Sequence, residues 1–196
     1  MRSYDRRQLP LNGPELRASD QNGISEPGHL IFSSPRQINL QVPWELQGQS
    51  SVKVKVVSGT GISELVTVRL ANFAPAFFEI SGNVVAQDLG FKTIDANHPA
   101  HAGQTVILYA NGLGPVDNQP ASGWPALASP LSSTKTSATV TVGQQSATVL
   151  FSGLAPGDPA LYQINATLPQ NLAPGAQPIT ITIGGITSKT SHIPVQ

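Results

Sequence analysis

Apolar and polar residues alternate with a period of two through most of the chain. The clearest alternation occurs twice, as Gln37-Ile38-Asn39-Leu40-Gln41-Val42-Pro43 and as Gln163-Ile164-Asn165-Ala166-Thr167-Leu168-Pro169. In both copies aliphatic side chains alternate with amides or hydroxyls until a proline is reached. This pattern predicts a strand with one buried face, ended by a residue that cannot donate to a sheet. Because the segments after the two copies are also similar, the repeat predicts two tandem β domains.

Short alternating segments fill the rest of the chain. They lie at residues 51–57, 65–70, 104–109, 138–142, 146–151, 179–183 and 191–195. Gly143-Gln144-Gln145 and Gly184-Gly185 predict turns between neighbouring strands. No long segment has the 3.6-residue period of an amphipathic helix. The predicted fold class is therefore all-β, with two tandem immunoglobulin-like β-sandwich modules.

The predicted domain organisation has four parts. Residues 1–28 hold eight charged residues and no apolar period, which predicts a flexible, disordered lead-in because such a segment buries too little to offset its ordering entropy. Residues 29–80 form a partial module, since only residues 29–32 precede its repeat. Whether residues 1–28 complete this module stays open. Residues 81–102 form a connector, and residues 103–196 form the second module.

Composition narrows the classes of partner. Charged residues make up 11% of the chain, and the 11 Lys and Arg balance the 11 Asp and Glu. A chain without net charge shows no electrostatic footprint for nucleic acid or for an anionic membrane, so neither partner is expected. No segment approaches the ~20 apolar residues of a membrane span. The absence of cysteine excludes disulfides, thiolate metal sites and cysteine nucleophiles.

The same composition favours an extracellular setting. Many exported bacterial proteins avoid cysteine, and a chain that keeps itself soluble with Thr, Ser, Asn and Gln in place of charged residues fits an extracellular setting. Residues 1–10 are too polar and too rich in arginine to form the apolar core of a signal peptide. We therefore expect a secreted or cell-surface protein whose export signal lies outside this sequence.

Two clusters match the spacing of reactive sites. His98 and His101 could share a zinc ion, but Pro99 lies between them in a connector and no third ligand is near in sequence. Ser132 and Lys135 have the Ser-x-x-Lys spacing of serine acyl enzymes, yet they lead into a strand, whereas that chemistry needs a helix start. We therefore predict no catalytic residue, no metal site and no cofactor, and we expect the protein not to be an enzyme.

A long, proline-rich loop at residues 117–133 is the better candidate for binding. Asp117 and Asn118 lie in it, and Trp124 offers an indole of the kind that anchors a sugar ring or a protein partner. The acidic residues here and at Asp158 lack the Asp-x-Asp-x-Asp spacing of calcium loops, so turn formation explains them. The predicted binding residues are Trp124, Asp117 and Asn118.

The polar residues of the repeat alternate with core residues and must face away from their own core. We predict that they form hydrogen bonds at a sheet edge or between domains, while the prolines end the strands. The repeat residues singled out on this basis are Gln37, Asn39, Pro43, Gln163, Asn165 and Pro169.

Several motifs of the second half resemble an uncharacterised C-terminal domain family of soil bacteria, of the acidobacterial type. They include Ala110-Asn111-Gly112-Leu113-Gly114-Pro115, Phe151-Ser152-Gly153-Leu154-Ala155-Pro156-Gly157 and Tyr162-Gln163-Ile164-Asn165. The resemblance covers residues 30–196, and the layout of each repeat also resembles IPT/TIG-type immunoglobulin-like modules. It implies a two-module β-sandwich at the end of a large exported protein, with no known activity. Residues 1–28 do not align with the family.

These observations favour a non-catalytic structural, spacer or assembly module pair at the C-terminus of an exported or cell-surface bacterial protein. The alternative is a carbohydrate- or protein-binding adhesion module. In that case the 117–133 loop would contact a polysaccharide or another surface protein.

Overall fold

A computed structural model describes residues 15–19, 25–59 and 61–196. The described chain is all-β with the sheets of a β-sandwich, which confirms the predicted class at that level. It divides into two compact units. Unit 1 extends to residue 71 and includes residues 121–123, and unit 2 contains residues 72–120 and 124–196. None of the described residues belongs to a helix long and apolar enough to cross a membrane.

The described residues of unit 1 form seven short strands and a 3-10 turn, Trp44–Leu46. The strands are β1 (Glu15–Ser19), β2 (Ser25–Pro27), β3 (His29–Ser34), β4 (Gln37–Gln41), β5 (Ser51–Ser58), β6 (Gly61–Ile62) and β7 (Val66–Arg69). Five of them form an antiparallel sheet in the order β2-β1-β5-β6, with β7 also paired to β5. The β3–β4 hairpin forms a separate two-stranded sheet.

The core of unit 1 is small. Ala18, Leu46 and Val52 are buried, with Val54 and Leu70 packed partly against them. The alternation of β5 explains this arrangement, because its even-numbered valines face the core and its lysines face the other side.

The structure differs from the predicted domain boundaries in two places. β1 and β2 lie inside the predicted lead-in, and Ala18 is buried; residues 1–14 and 20–24 of that lead-in lie outside the described residues. The many charged residues of residues 1–28 concealed the short alternation of apolar and polar residues in β1. The second difference is that the compact unit changes after Ala71, because residues 76–88 pair with strands of unit 2.

Unit 2 contains eleven strands in one continuous sheet. They are β8 (Ala76–Phe77), β9 (Glu79–Ile80), β10 (Asn83–Val84), β11 (Ala86–Asp88), β12 (Thr105–Asn111), β13 (Thr139–Val142), β14 (Gln145–Leu154), β15 (Tyr162–Thr167), β16 (Gly175–Ile183), β17 (Ile186–Thr187) and β18 (Ser191–Val195). The order is β11-β12-β15-β14-β13-β16-β18-β10-β9, with β17 on β16 and β8 on β12. The predicted β13–β14 hairpin is present.

The sheet of unit 2 folds over a core of aliphatic side chains. Alternate residues of its long strands are fully buried, among them Leu108, Val140, Ile164, Ile181 and Ile193. Residues 76–88 complete the arrangement: β8 pairs with β12 near one end of the strand order, and β10 pairs with β18 near the other. This packing holds β12, β14 and β15 in fixed register.

Candidate functional site

The second copy of the repeat forms β15, an interior strand paired with β12 on one side and β14 on the other. Its odd and even positions face opposite ways, as the sequence predicts. Tyr162, Ile164 and Ala166 are buried in the core, while Gln163 and Asn165 are half-buried on the outer face. The two amides therefore lie within a continuous sheet and not at its edge.

The two amide side chains bond to each other. The Nε2 of Gln163 donates to the Oδ1 of Asn165 at 2.7 Å. This bond restrains both side chains on the outer face of β15. The Oε1 of Gln163 and the Nδ2 of Asn165 make no other hydrogen bond within the described part of the chain. The pair therefore keeps one acceptor and one donor that no described residue uses.

Aromatic rings flank this pair on the two neighbouring strands. Tyr109 of β12 lies directly opposite Gln163, and Phe151 of β14 lies directly opposite Asn165. Residues opposite each other on one face of a sheet have Cβ atoms about 5 Å apart, which is contact distance for such side chains. Both rings are partly exposed. We call the surface formed by Gln87, Tyr109, Phe151, Gln163 and Asn165 the amide face.

The ring of Tyr109 is held by Gln87. Its hydroxyl donates to the Oε1 of Gln87 at 2.7 Å, and the Nε2 of Gln87 donates to the carbonyl oxygen of Phe91 at 3.1 Å. Burial raises the pKa of the Tyr109 hydroxyl, and the negative charge of Asp158 raises it further. Tyr109 therefore remains a neutral phenol throughout the physiological pH range.

A glycine makes room for the second ring. Gly153 lies opposite Gln163 on β14. A Cβ atom at this position would lie 2.6 Å from the ring of Phe151 and 2.3 Å from the carbonyl oxygen of Ser132. The ring of Phe151 therefore leans over a position where no other residue type fits without displacement.

The first copy of the repeat reproduces the amide bond but not its surroundings. The Nε2 of Gln37 donates to the Oδ1 of Asn39 at 2.8 Å, on the exposed side of β4. Ser34 lies opposite Gln37, and Phe32 lies opposite Asn39. β4 pairs only with β3 among the described strands, so this pair lacks the second flanking strand and its ring.

Several polar groups of the 117–133 loop form hydrogen bonds within the loop itself. Asn118 has a left-handed backbone, and its Nδ2 donates to the carbonyl oxygen of Leu131 at 2.9 Å. The backbone N–H of Asp117 donates to the carbonyl oxygen of Ser133 at 2.8 Å, which closes the base of the loop. Trp124 is 43% exposed. Trp124, Asp117 and Asn118 therefore belong to one braced loop, and Asn118 has a structural use.

Residues 121–123 of this loop belong to unit 1. The hydroxyl of Ser122 accepts from the backbone N–H of Trp44 at 2.8 Å and donates to the carboxylate of Glu45 at 2.6 Å. This hydrogen bond lowers the pKa of Glu45. The backbone N–H of Gly123 donates to the buried Oε1 of Gln41 at 2.6 Å. The loop tip therefore has defined partners within unit 1.

The position of Ser132 indicates a structural role. It is 1% exposed, and its hydroxyl donates to the carbonyl oxygen of Asn118 at 2.9 Å. The backbone N–H of Lys135 donates to the carbonyl oxygen of Pro115 at 2.9 Å, and no hydrogen bond joins its side chain to Ser132. The Ser-x-x-Lys spacing does not form a nucleophile and base here, since a base must reach the hydroxyl proton.

The two histidines of the predicted connector have separate partners. The Nε2 of His98 lies 3.0 Å from the Oδ2 of Asp88, and the Nε2 of His101 lies 3.4 Å from the Nε2 of Gln196. Within the described ranges, no group of three or more His, Cys, Asp or Glu residues is close enough to hold a metal ion.

The Asp88–His98 contact gives a test by titration. The pKa of the Asp88 carboxyl is lowered first by the hydrogen bond from His98, and then by the backbone N–H groups of Lys92 and Gly90. His98→Ala should raise this pKa partway toward its ordinary value, because the backbone donors remain. Carboxyl chemical shifts followed through an acid titration measure it. His101→Ala serves as the control and should leave the Asp88 curve in place; an unchanged curve in His98→Ala would refute the contact.

Sequence reasoning found the amides of this face but missed Tyr109, Phe151 and Gln87. Tyr109 had only a partial signal. Asn111 lies two residues after it on the same strand face, but Ile107, two residues before it on that face, is apolar and 4% exposed. Nothing comparable marked Phe151 or Gln87.

Known proteins do not identify the amide face. No family model matches the sequence, and no curated protein matches it either. The function is therefore argued from the side chains of the face and from the composition of the chain.

Proposed function

We propose that this chain is a non-catalytic module pair of an exported bacterial protein and that its amide face binds a neutral polysaccharide. One observation carries the proposal: a pre-bonded pair of amides flanked by two aromatic rings on the interior strands of a sheet. The sequence resemblance supports the exported setting. The charge-poor surface supports a neutral ligand.

A sugar ring is bound by aromatic rings and by hydrogen-bonding groups, and the amide face offers both. The apolar face of a pyranose packs on aromatic rings, and Tyr109 and Phe151 supply them. The hydroxyls of the sugar both donate and accept, which matches the free Oε1 of Gln163 and the free Nδ2 of Asn165. Amides without charge pair with neutral hydroxyls at little desolvation cost compared with ionised groups.

The interior position of β15 supplies rigidity. Gln163 and Asn165 are held by ladders on both sides and by their own hydrogen bond, so little side-chain freedom is lost when a ligand binds. A binding site on strands keeps its geometry better than one on a loop. The polysaccharide therefore makes its primary contact with the amide face, and Trp124 of the 117–133 loop contributes less to binding.

The test is retention of the full chain on a panel of immobilised neutral polysaccharides, such as cellulose, xylan and β-glucan. The double variant Gln163→Ala/Asn165→Ala should lose about tenfold or more in affinity, since hydrogen bonds to a bound ligand contribute roughly 0.5–1.5 kcal/mol each. Tyr109→Ala should lose a similar amount, because ring stacking is removed. Melting curves confirm that each variant is folded.

Matched controls come from the first repeat and from the loop. Gln37→Ala/Asn39→Ala removes an identical amide pair that lacks the second ring, and it should leave retention unchanged. Trp124→Ala tests the loop. Equal loss of retention in the first-repeat variant, or loss only in Trp124→Ala, would contradict binding by the amide face.

A purely structural spacer role is the second candidate. It is favoured by the pairing of residues 76–88 with strands at both ends of the order in unit 2, which leaves few free sheet edges. If the folded wild-type chain is retained on none of the polysaccharides, the binding proposal fails and the spacer role is the better account of the chain.

A further inference from the structure

One face of the five-stranded sheet in unit 1 carries a cluster of cations. Lys53 and Lys55 project from the same side of β5, and Arg69 of β7 lies opposite Ser51 on that side. Arg17 of β1 lies directly opposite Lys55, and the acidic residue Glu15 lies two positions before Arg17, opposite Val57. Four of the 11 Lys and Arg residues of the chain thus share one small surface. We call it the cationic face.

Three of these cations, all but Arg17, have no counter-ion among the described residues. No ion pair joins Lys53, Lys55 or Arg69 to a carboxylate among the described residues. Lys53 and Arg69 are exposed, and Lys55 is half-buried. Lys53 and Lys55 are like charges two residues apart on one strand face, and a bound anion would relieve their repulsion.

The residues between the cations are hydroxyls. Thr67 lies opposite Lys53 on one side, and Ser19 lies opposite it on the other. Ser51 continues the same row of β5. Hydroxyl groups donate readily to carboxylate and sulfate oxygens. The backbone positions of Lys53 and Lys55 are about 7 Å apart along β5, and neighbouring strands are about 5 Å apart, so an extended polymer with a charge on each unit can follow the row.

The net charge of the whole chain is zero, so it gives no indication that cations cluster in unit 1. The residues assigned to unit 1 include eight cations and six anions, whereas unit 2 has three cations and five anions. By sequence, unit 1 therefore carries a small excess of cations and unit 2 a small excess of anions.

We propose that the cationic face binds an acidic polysaccharide, one that carries carboxylates along an extended chain. Two features of the face favour this partner: its positive charge, which complements carboxylates, and the absence of aromatic side chains among its described residues. Single-stranded nucleic acids are bound through aromatic rings on which the bases stack, and no aromatic residue lies among these described positions of β1, β5 and β7. This inference is independent of the amide face, which lies in unit 2 and is suited to neutral sugars.

The experiment measures binding of the full chain to polygalacturonate, with dextran as the uncharged comparison. The triple variant Lys53→Gln/Lys55→Gln/Arg69→Gln should bind about tenfold or more weakly at ~50 mM salt. Wild-type affinity should fall steeply as salt rises to about 200 mM, and the variant should show a much shallower dependence.

The matched control removes the same three charges elsewhere. Lys92→Gln/Lys135→Gln/Lys189→Gln changes exposed residues of unit 2 and should retain wild-type affinity. Melting curves establish that both triple variants are folded. Equal losses in the two variants would mean that only total charge matters, and absence of wild-type binding would also overturn the proposal. Tighter binding of oligothymidylate than of polygalacturonate, lost in the face variant, would replace the polysaccharide with a nucleic acid.

Discussion

Replacing Ile164 with Asp is expected to unfold unit 2. Ile164 is fully buried at the centre of β15, between Leu108 of β12 and Ser152 of β14. A carboxylate placed there would be cut off from solvent, because the position is 0% exposed. Such an unpaired buried charge costs several kcal/mol, against a total stability of about 5–15 kcal/mol for a typical domain. The variant should therefore be insoluble or lack a cooperative melting transition.

The neighbouring residue supplies the control. Asn165→Asp introduces the same carboxylate one position along, on the outer face of the same strand. Its oxygen can still accept the hydrogen bond from the Nε2 of Gln163. This control should melt within a few degrees of the wild type, because a charge on a partly exposed face remains solvated. A soluble Ile164→Asp variant with a melting temperature equal to that of the control would mean that the core face of β15 is assigned wrongly.

The alternation of Ile164 and Asn165 could be read from the sequence because it is local. A strand exposes successive side chains to opposite faces, whatever its neighbours are. The all-β class, the hairpin at Gly143 and the outward direction of the repeated amides all rest on such local patterns. They required no knowledge of which strands pair.

The rings of the amide face depend on register, and register is not local. Tyr109 meets Gln163 only because β12 and β15, which lie far apart in the sequence, pair at that position. Phe151 was further concealed by a bulge. The register shifts between Val149 and Phe151, so Leu150 is left 63% exposed. Strict alternation would have placed Phe151 on the core face with Val149.

The compact units also depend on long-range pairing. Residues 76–88 have the composition of a link between modules, yet their backbone groups pair with β12 and β18 of unit 2. Composition alone cannot distinguish a free connector from an edge segment, because both are short and rich in turn residues.

Gly112→Ala is expected to have the second largest effect on stability. Gly112 has a left-handed backbone with φ +69°, and a Cβ atom on it would lie 2.0 Å from the carbonyl oxygen of Ala74. The two segments are also joined by a hydrogen bond of 2.9 Å from the N–H of Ala74 to the carbonyl of Gly112. Relief of the clash therefore requires the backbone before β8 to move away from the end of β12. We expect a loss of about 2–5 kcal/mol, the sum of backbone strain of ~1–2 kcal/mol and about 1–3 kcal/mol for the displaced backbone.

A substitution at Gly157 separates the backbone strain from the steric clash. It also has a left-handed backbone, with φ +90°, but nothing lies within 4 Å of a Cβ atom placed on it. Gly157→Ala should therefore cost only the strain of about 1–2 kcal/mol. Urea unfolding of the full chain, followed by the fluorescence of the two tryptophans and by circular dichroism, gives both values. Equal destabilisation by the two substitutions would show that the Ala74 segment yields without cost. The close approach of residues 74 and 112 would then not be what holds β8 against β12.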